Sequence, residues 1–382
     1  MKRTIFADEH EDFRNLVRRF VAGEVADEFP KWEALGAPPR EFFRRVAELG
    51  ISTTAIPERF GGGGQGSYLF NVVVAEEFVR AHANVGSLRV HMDVVLPYLL
   101  HLANEEQQER WLPGVAAGDL VLAIAMTEPG TGSDLAAITT TARRDGDDWI
   151  INGAKTFISG GANADLVLVV ARTSPSGDNR RAGLSLLVVP TATLGFVVGR
   201  KMEKIGLHAQ DTVDLSFDDV RIPAANLLGE EGQAFLHLGH NLAQERVTIA
   251  VAAVSAAKAA LDLALDYTAE RTVFGRPIGE FQNSKFVLAE CATDIAAGQA
   301  LLDQALVVHD SGELDPADSA KVKLFCTEMQ SRVVDKCLQL HGGYGYAREY
   351  PISRLYADAR VTRIYGGTSE VMKSIIAKSL RS

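Results

Sequence analysis

Residues 166–170 (LVLVV) and 184–189 (LSLLVV) are the two stretches that decide the fold class. Both runs are short and rich in β-branched side chains, and Gly, Pro and Asp bound them, which is the pattern of β-strands. A third signal, the dipeptide Asn152-Gly153 between two apolar runs, is typical of a tight β-hairpin turn. The region around them therefore predicts antiparallel strands.

Helical spacing of apolar residues lies on both sides of this strand region. Helices, then strands, then helices in separate segments favour an α+β protein over a doubly wound sheet. We expect three domains, which are a helical domain at 1–120, a β domain at 121–232 and a second helical domain at 233–382.

Composition and charge are typical of a globular protein and disfavour binding to nucleic acid. The 382 residues are 47% hydrophobic and 23% charged, which is ordinary for a globular protein, and the net charge is −10. An acidic balance disfavours a nucleic-acid-binding scaffold, so we expect no nucleic-acid partner.

Targeting and redox signals favour a cytoplasmic protein. Acidic residues follow Phe6 where a signal peptide would have an apolar segment, and no apolar run approaches a membrane span, so we expect none. Three cysteines without C-x-x-C spacing suit a reducing compartment and indicate no metal site.

Two motifs that contain glycine are weak indications of function. Residues 61–66 (GGGGQG) lack the Lys-Ser/Thr of a phosphate-binding loop, so a turn is the better interpretation. His341 beside Gly342 and Gly343 is a candidate catalytic residue, but a lone histidine in this setting is more often structural.

Glu245 is the acidic residue with the most informative placement. At about 100° per residue, Leu238, Leu242, Glu245, Ile249 and Ala252 share one helical stripe. The polar residues of this helix are expected on another side: His237, Gln244, Thr248 and Ser255. A glutamate on an apolar face is costly to bury unless it is paired or useful. It is either a general base whose pKa burial raises, or one half of a structural ion pair with Arg246 or another partner.

Four blocks of sequence resemble the acyl-CoA dehydrogenase family, and together they span nearly the whole chain. They are residues 125–134 (AMTEPGTGSD), 152–159 (NGAKTFIS), 270–278 (ERTVFGRPI) and 339–345 (QLHGGYG) with 363–370 (RIYGGTSE). The resemblance implies an N-terminal helical domain, a middle antiparallel β-barrel-like domain and a C-terminal four-helix bundle. It also implies an FAD held between the strand domain and the C-terminal helices, within a homotetramer that is a dimer of dimers.

The resemblance assigns cofactor-binding roles residue by residue. Thr127 and Ser159 match positions on the flavin ring, Phe157 matches an aromatic wall beside it, and Arg271 matches an arginine on the FAD pyrophosphate of a neighbouring subunit. Further FAD-contacting positions are Phe274, Gln282, Gly342, Gly343, Thr368 and Glu370. Positions near the acyl-CoA are Ser133, Arg246 and Tyr365.

The catalytic carboxylate is not where many members of the family carry it. That position is Gly366, which has no side chain to accept a proton. Members of the long-chain and isovaleryl types carry the base in a Glu-Arg pair on an earlier helix, and Glu245-Arg246 matches it. Gly366 still offers its backbone N–H to the thioester carbonyl.

The function expected from this resemblance is oxidation of an acyl-CoA to the trans-2-enoyl-CoA. Glu245 takes the α-proton, the β-hydrogen leaves as hydride to flavin N5, and an electron-transfer flavoprotein accepts the electrons. Two alternatives are a flavin oxidase or monooxygenase on the same scaffold, and a non-catalytic acyl-CoA-binding or flavin-binding member. The sequence leaves open the length and branching of the acyl chain, and whether CoA or a carrier protein bears it.

Overall fold

The N-terminal region folds as helices. The structure, a computed structural model, describes residues 3–380; the first two and last two residues, which the predicted domains include, lie outside the described residues. The helices are α1 (Asp8–Phe20), α2 (Phe29–Leu35), α3 (Arg40–Glu48), α4 (Leu69–Arg80), α5 (Gly86–Arg89), α6 (Leu96–Leu102) and α7 (Glu105–Ala116). π-Helical turns at Val21–Val25 and Val90–Val95 extend α1 and join α5 to α6.

The middle region forms one mixed sheet. Its strands are β1 (Leu122–Ala125), β2 (Thr141–Asp145), β3 (Asp148–Ser159), β4 (Leu166–Arg172), β5 (Leu184–Pro190), β6 (Phe196–Lys201), β7 (Thr212–Pro223) and β8 (Leu227–Leu228). The order is β6-β7-β3-β2-β4-β5-β8, and β1 pairs with β4. Most pairs are antiparallel as expected, but β1 and β2 both run parallel to β4, so the expectation of purely antiparallel strands is wrong around β4. The physical reason is that β1 enters from the N-terminal helices without a hairpin to reverse it.

The Asn152-Gly153 dipeptide lies inside a strand, so the hairpin prediction is wrong. Strand β3 continues through both residues, with a register shift against β7 between Ile151 and Gly153. Asn152 hydrogen-bonds with its side chain to the backbone and carboxylate of Asp219 across the sheet, each at 2.9 Å. Gly153 has φ +149°, and a Cβ there would lie 2.6–2.8 Å from Thr140. Glycine at this position therefore makes a β-bulge instead of a turn.

Gly153→Ala is expected to lower the free energy of unfolding by about 2–4 kcal/mol, because it combines backbone strain with overpacking. The measurement is chemical denaturation of both proteins. Gly146→Ala is the matched control, since φ there is +61° but nothing lies within 4 Å of the added Cβ. For that variant the free energy of unfolding is expected to fall by only about 1–2 kcal/mol. An equal fall in the two variants would show that the close contact with Thr140 does not matter.

The C-terminal region is built on long helices. They are α8 (Ala234–Glu270), α9 (Gln282–Asp310), α10 (Pro316–His341), α11 (Pro351–Ala359) and α12 (Ser369–Ser379), with a β9 (Thr272–Val273) and β10 (Arg276–Pro277) hairpin between α8 and α9. The predicted α+β fold, with helices, then a sheet, then a helical bundle, is thus the observed one.

Helix α8 is the centre of the molecule. Residues 246–257 are all buried, so the predicted division into an apolar stripe and a separate polar side is wrong over this stretch. Its neighbours in one continuous apolar core include the residues of α4 that face it, Leu69, Val72, Ala75 and Val79. A helix surrounded by other helices is buried on every side.

Helix α8 is also long and apolar enough, by length and composition, to cross a membrane. The expectation that no apolar run approaches that length is therefore wrong for this helix. However, 78% of its most apolar window is buried inside the protein, as happens when a core helix meets the same criteria. The absence of a membrane span stays a prediction.

Candidate active site

Glu245 projects from α8 toward the segment that precedes α12. Its Oε2 atom is buried and has no hydrogen-bond partner among the residues that the structure describes. Arg246 does not pair with it; its Nη1 donates to the Pro316 carbonyl at 3.4 Å and to Ser319 Oγ at 3.3 Å, both on α10. Within residues 3–380 the structural ion pair between Glu245 and Arg246 is therefore not formed.

Burial raises the pKa of Glu245. The positive charges of Arg246 and Lys323 act in the opposite direction and lower it. A carboxyl group in this environment is a stronger base than an exposed one, while the two cations keep its ionised form accessible. These are the properties that a general base requires.

Gly366 lies directly against this carboxyl group. A Cβ at position 366 would be 3.5 Å from Glu245 Oε1, and it would overlap Ile249 Cδ1. Gly366 has φ +62° and Gly367 has φ +92°, so both adopt the left-handed conformation that favours glycine. The structure thus brings together the two positions that the sequence analysis linked across 120 residues of chain.

Two buried tyrosines complete the surroundings of Glu245. Burial raises the pKa of Tyr98 on α6 and of Tyr365 beside Gly366, and the charge of Glu245 raises both further. The Tyr98 hydroxyl is buried without a hydrogen-bond partner. Tyr365 was a predicted substrate contact, whereas the sequence analysis missed Tyr98.

Lys323 is the second residue that the sequence analysis missed. It lies on α10 with 1% of its surface exposed, and its Nζ donates to the Gly367 carbonyl at 2.5 Å. No sequence signal marks it, because the residues that share its side of the helix are only partly apolar: Ala320, Thr327, Gln330 and Val334.

Thr127, Phe157 and Ser159 share one face of the β domain. The Thr156 N–H donates to the Thr127 carbonyl at 2.9 Å, which ties the segment after β1 to the end of β3. The Ser159 hydroxyl accepts a hydrogen bond from Gln210 Nε2 at 2.7 Å. Phe157 is 65% exposed and has φ +58°, an uncommon conformation for an aromatic residue.

A buried ion pair holds the segment around Thr127 in place. Lys155 Nζ donates to Glu128 Oε1 at 2.9 Å and to the Met126 carbonyl at 3.0 Å, so it holds the residues on both sides of Thr127. Burial raises the pKa of Glu128, but hydrogen bonds from Thr140 and Thr139 and the charge of Lys155 lower it to about 2.

Thr368 and Glu370 lie at the N-terminal end of α12. The Thr368 hydroxyl accepts a hydrogen bond from the Val371 N–H at 3.3 Å, and Glu370 is exposed in the first helical turn. Ser133 is exposed in the loop after β1. Of these residues, Thr368 is two positions from Gly366 and so brings a polar group close to the Glu245 region.

The other predicted FAD residues lie at the far end of α8. Arg271, Phe274 and Gln282 surround the β9–β10 hairpin, and the Arg271 guanidinium lies 5.6 Å from the Tyr344 ring, next to Gly342 and Gly343. Glu245 lies about 25 residues before the end of α8, which is roughly 38 Å at about 1.5 Å per residue. Within one chain, the Arg271 group is therefore remote from Glu245.

His341 is structural. It is buried, its Nδ1 lies 2.8 Å from the Cys337 carbonyl, and its ring stacks on Tyr267 with centroids 4.5 Å apart.

The residues present fit a flavin dinucleotide. The exposed Phe157 ring and the Thr127 and Ser159 hydroxyls suit a planar ring that needs hydrogen-bond donors. Thr368, beside the Gly366–Gly367 turn, adds a helix N-terminus. On the other surface, Phe274 is 97% exposed, Arg271 is exposed, and open space meets a Cβ added at Gly342 or Gly343. A guanidinium that makes no ion pair within residues 3–380, beside bare backbone, suits a pyrophosphate.

Comparison with known proteins identifies three consecutive family domains. Residues 7–119 match the acyl-CoA dehydrogenase N-terminal domain, 123–220 the middle domain and 235–381 the C-terminal domain.

Relatives extend over the whole chain. The long-chain specific acyl-CoA dehydrogenase of Sus scrofa mitochondria is 42% identical over 99% of this chain and 88% of its own. The crystal structure of an acyl-CoA dehydrogenase from Geobacillus kaustophilus matches with a TM-score of 0.98 at 44% identity, covering 100% of both chains. The butyryl-CoA dehydrogenase of Megasphaera elsdenii matches with a TM-score of 0.94 at 31% identity, again covering 100% of both chains.

Proposed function

The chain belongs to the acyl-CoA dehydrogenase family, and from that premise we propose that Glu245 is its catalytic base and the Gly366 N–H its thioester contact. The enzyme is an FAD-dependent acyl-CoA dehydrogenase. The observation that carries the residue assignment is the 3.5 Å between Glu245 Oε1 and the Cβ position of residue 366. A base on α8 and a base on the 366 side chain would therefore reach the same substrate carbon.

The chain's own groups account for proton removal. The Glu245 carboxylate takes the α-proton, and its buried Oε2 atom is available because none of the described residues hydrogen-bonds to it. The Gly366 N–H polarises the thioester carbonyl, which makes the α-proton more acidic. Bound FAD supplies the acceptor for the β-hydride. Loss of both hydrogens gives the trans-2-enoyl-CoA.

An anaerobic titration of the FAD-loaded enzyme with acyl-CoA tests this function against its alternatives. We expect the flavin absorbance to bleach quickly and to return slowly when air is admitted. Rapid turnover with air would indicate an oxidase instead, and no bleaching with any acyl-CoA would indicate a binding protein. Short and long acyl-CoAs belong in the same series, because the named relatives include both long-chain and butyryl enzymes. Branched acyl-CoAs are added because the sequence leaves branching open.

We also propose that the FAD site is completed between subunits. The support is that the Arg271 group lies roughly 38 Å along α8 from the Glu245 side. A second protomer would supply that group, which agrees with the homotetramer, a dimer of dimers, that the family resemblance implies. Analytical ultracentrifugation measures the oligomeric state. A monomer that retains FAD would contradict the proposal that the FAD site is completed between subunits.

Arg271→Gln is expected to weaken FAD retention by about 10- to 100-fold, since a charge-assisted hydrogen bond to phosphate contributes about 1.5–3 kcal/mol. The measurement is the flavin-to-protein absorbance ratio after gel filtration, followed by titration with FAD. Arg276→Gln is the matched control, because Arg276 lies in the same hairpin but its guanidinium stacks on Phe281 at 4.1 Å. Equal retention in both variants would show that Arg271 does not reach the cofactor.

The remaining partners are proposals. We propose an electron-transfer flavoprotein as the electron acceptor and a cytoplasmic location. Reduction of a purified electron-transfer flavoprotein by the substrate-reduced enzyme tests the first, and fractionation of cells with an antibody against the chain tests the second.

A further inference from the structure

Lys323 is a buried cation with an unusual partner. Its Nζ donates to the carbonyl of Gly367 at 2.5 Å, and no carboxylate within residues 3–380 lies within 4.0 Å of it. Taking an ammonium group out of water without an ion pair is costly. A lysine in this position therefore needs a compensating role, and its neighbours are Glu245 and the Gly366–Gly367 turn.

We propose that Lys323 is a positioning residue for the reaction, which fixes the Gly366–Gly367 turn through the Gly367 carbonyl and keeps Glu245 ionised through its charge. This inference rests on the proposed role of Glu245 as the base. It goes beyond that role because it adds a residue from a third helix, α10.

The first part of the proposal follows from the backbone of the turn. Gly366 and Gly367 are two successive glycines in the left-handed region, and a glycine pair loses more conformational freedom on ordering than other residues do. The hydrogen bond from Lys323 anchors the carbonyl that follows the pair. It thereby fixes the direction of the Gly366 N–H relative to the Glu245 carboxylate.

The second part follows from the charges that face Glu245. The two cations are Arg246 on α8 and Lys323 on α10, and the titratable but uncharged groups beside Glu245 are Tyr98 on α6 and Tyr365 in the turn. Arg246 is already engaged by Pro316 and Ser319, so Lys323 is the cation that faces Glu245 from another helix.

Lys323 itself responds to this environment. Burial lowers the pKa of Lys323 to about 8, against the opposing effects of Glu245 and, more weakly, Glu328, while Arg246 lowers it further. Lys323 therefore carries its charge below about pH 8. Removing its charge destabilises the carboxylate, so the pKa of Glu245 rises.

The experiment compares Lys323→Met and Lys323→Gln with Lys323→Arg and with Lys321→Met. The glutamine side chain can still donate to the Gly367 carbonyl but has no charge, so it separates the hydrogen bond from the charge. Lys321 is the matched control, because it lies on α10, is exposed and pairs with Asp318. FAD content and Tm are recorded first for every variant.

The readouts are the pH profile of flavin reduction by acyl-CoA and the binding of a 3-thiaacyl-CoA. That analogue can lose its α-proton, but a sulfur at the β-position leaves no hydride to transfer, so the flavin charge-transfer band reports proton removal alone. In both neutral variants we expect the acidic midpoint of each readout to rise by about 1 pH unit or more. We expect Lys323→Met also to reduce flavin about 10-fold more slowly than wild type, and Lys323→Arg to stay near wild type in its midpoints.

Folded, FAD-loaded neutral variants with wild-type midpoints would overturn the proposal. If Lys323→Met does not fold, wild-type midpoints in Lys323→Gln alone would overturn the proposal. Failure here is separable from failure of the base assignment, since an inactive Glu245→Gln together with a normal Lys323→Gln would leave Glu245 as the base and remove only the role of Lys323.

Discussion

Glu245→Gln is expected to lower the rate of flavin reduction by acyl-CoA about 10²- to 10⁴-fold, the usual contribution of a positioned general base. The amide has nearly the shape of the carboxylate but cannot accept the α-proton. FAD should stay bound, because the residues predicted to contact the cofactor lie on other elements. The melting temperature should not fall, since the substitution removes a charge whose burial is unfavourable.

Rapid mixing under anaerobic conditions measures this rate without interference from the electron acceptor. Glu270→Gln is the matched control on the same helix, because Glu270 is exposed at its C-terminal end. Wild-type reduction by Glu245→Gln would contradict the assignment of the base. Loss of FAD from that variant would show a structural role instead.

Moving the carboxylate to position 366 is expected to restore part of the lost activity. The triple variant Glu245→Gly, Ile249→Val, Gly366→Glu should reduce flavin about 10- to 100-fold faster than Glu245→Gly with Ile249→Val, a fraction of the general-base contribution. The reason is geometric, because a Cβ at residue 366 starts 3.5 Å from the present Glu245 Oε1. Ile249→Val removes Cδ1, the atom that this Cβ would overlap.

Rescue should be incomplete. A residue other than glycine in the left-handed conformation costs about 1–2 kcal/mol, and the new side chain approaches the substrate from the turn before α12 instead of from α8. The control is Gly366→Gln in the same background, which adds equal bulk without a base. If the glutamine and glutamate variants are equally active, the two positions do not serve the same substrate carbon.

The order of the domains was predictable because the spacing of apolar residues changes from a helical pattern to a strand pattern and back to a helical one. It failed where a local signal had two structural solutions. Asn152-Gly153 suits both a hairpin turn and a β-bulge, and only the packing of Thr140 against Gly153 selects the bulge. The parallel pairing of β1 with β4 depends on contacts that are distant in sequence, which periodicity does not report.

Part of the candidate site was predictable because two of its residues are unusual for their place in the sequence. Glu245 was recognisable because a carboxylate on an apolar stripe is rare, and Gly366 because its side chain was missing from a familiar motif. Lys323 gave no such contrast, since a lysine on a long helix is ordinarily exposed and its burial depends on how α10 packs against α8. The domain limits and the roles of the individual FAD residues stay predictions.

The packing of α4 against α8 has a consequence for synthesis on the ribosome. The apolar face of α4, with Leu69, Val72, Ala75 and Val79, is completed by a helix that begins about 150 residues later in the chain. At about 5–20 residues per second, that face waits roughly 8–30 s for its partner. Newly made α4 is therefore a segment that molecular chaperones must shield, and slower translation between the two helices would increase aggregation of the nascent chain.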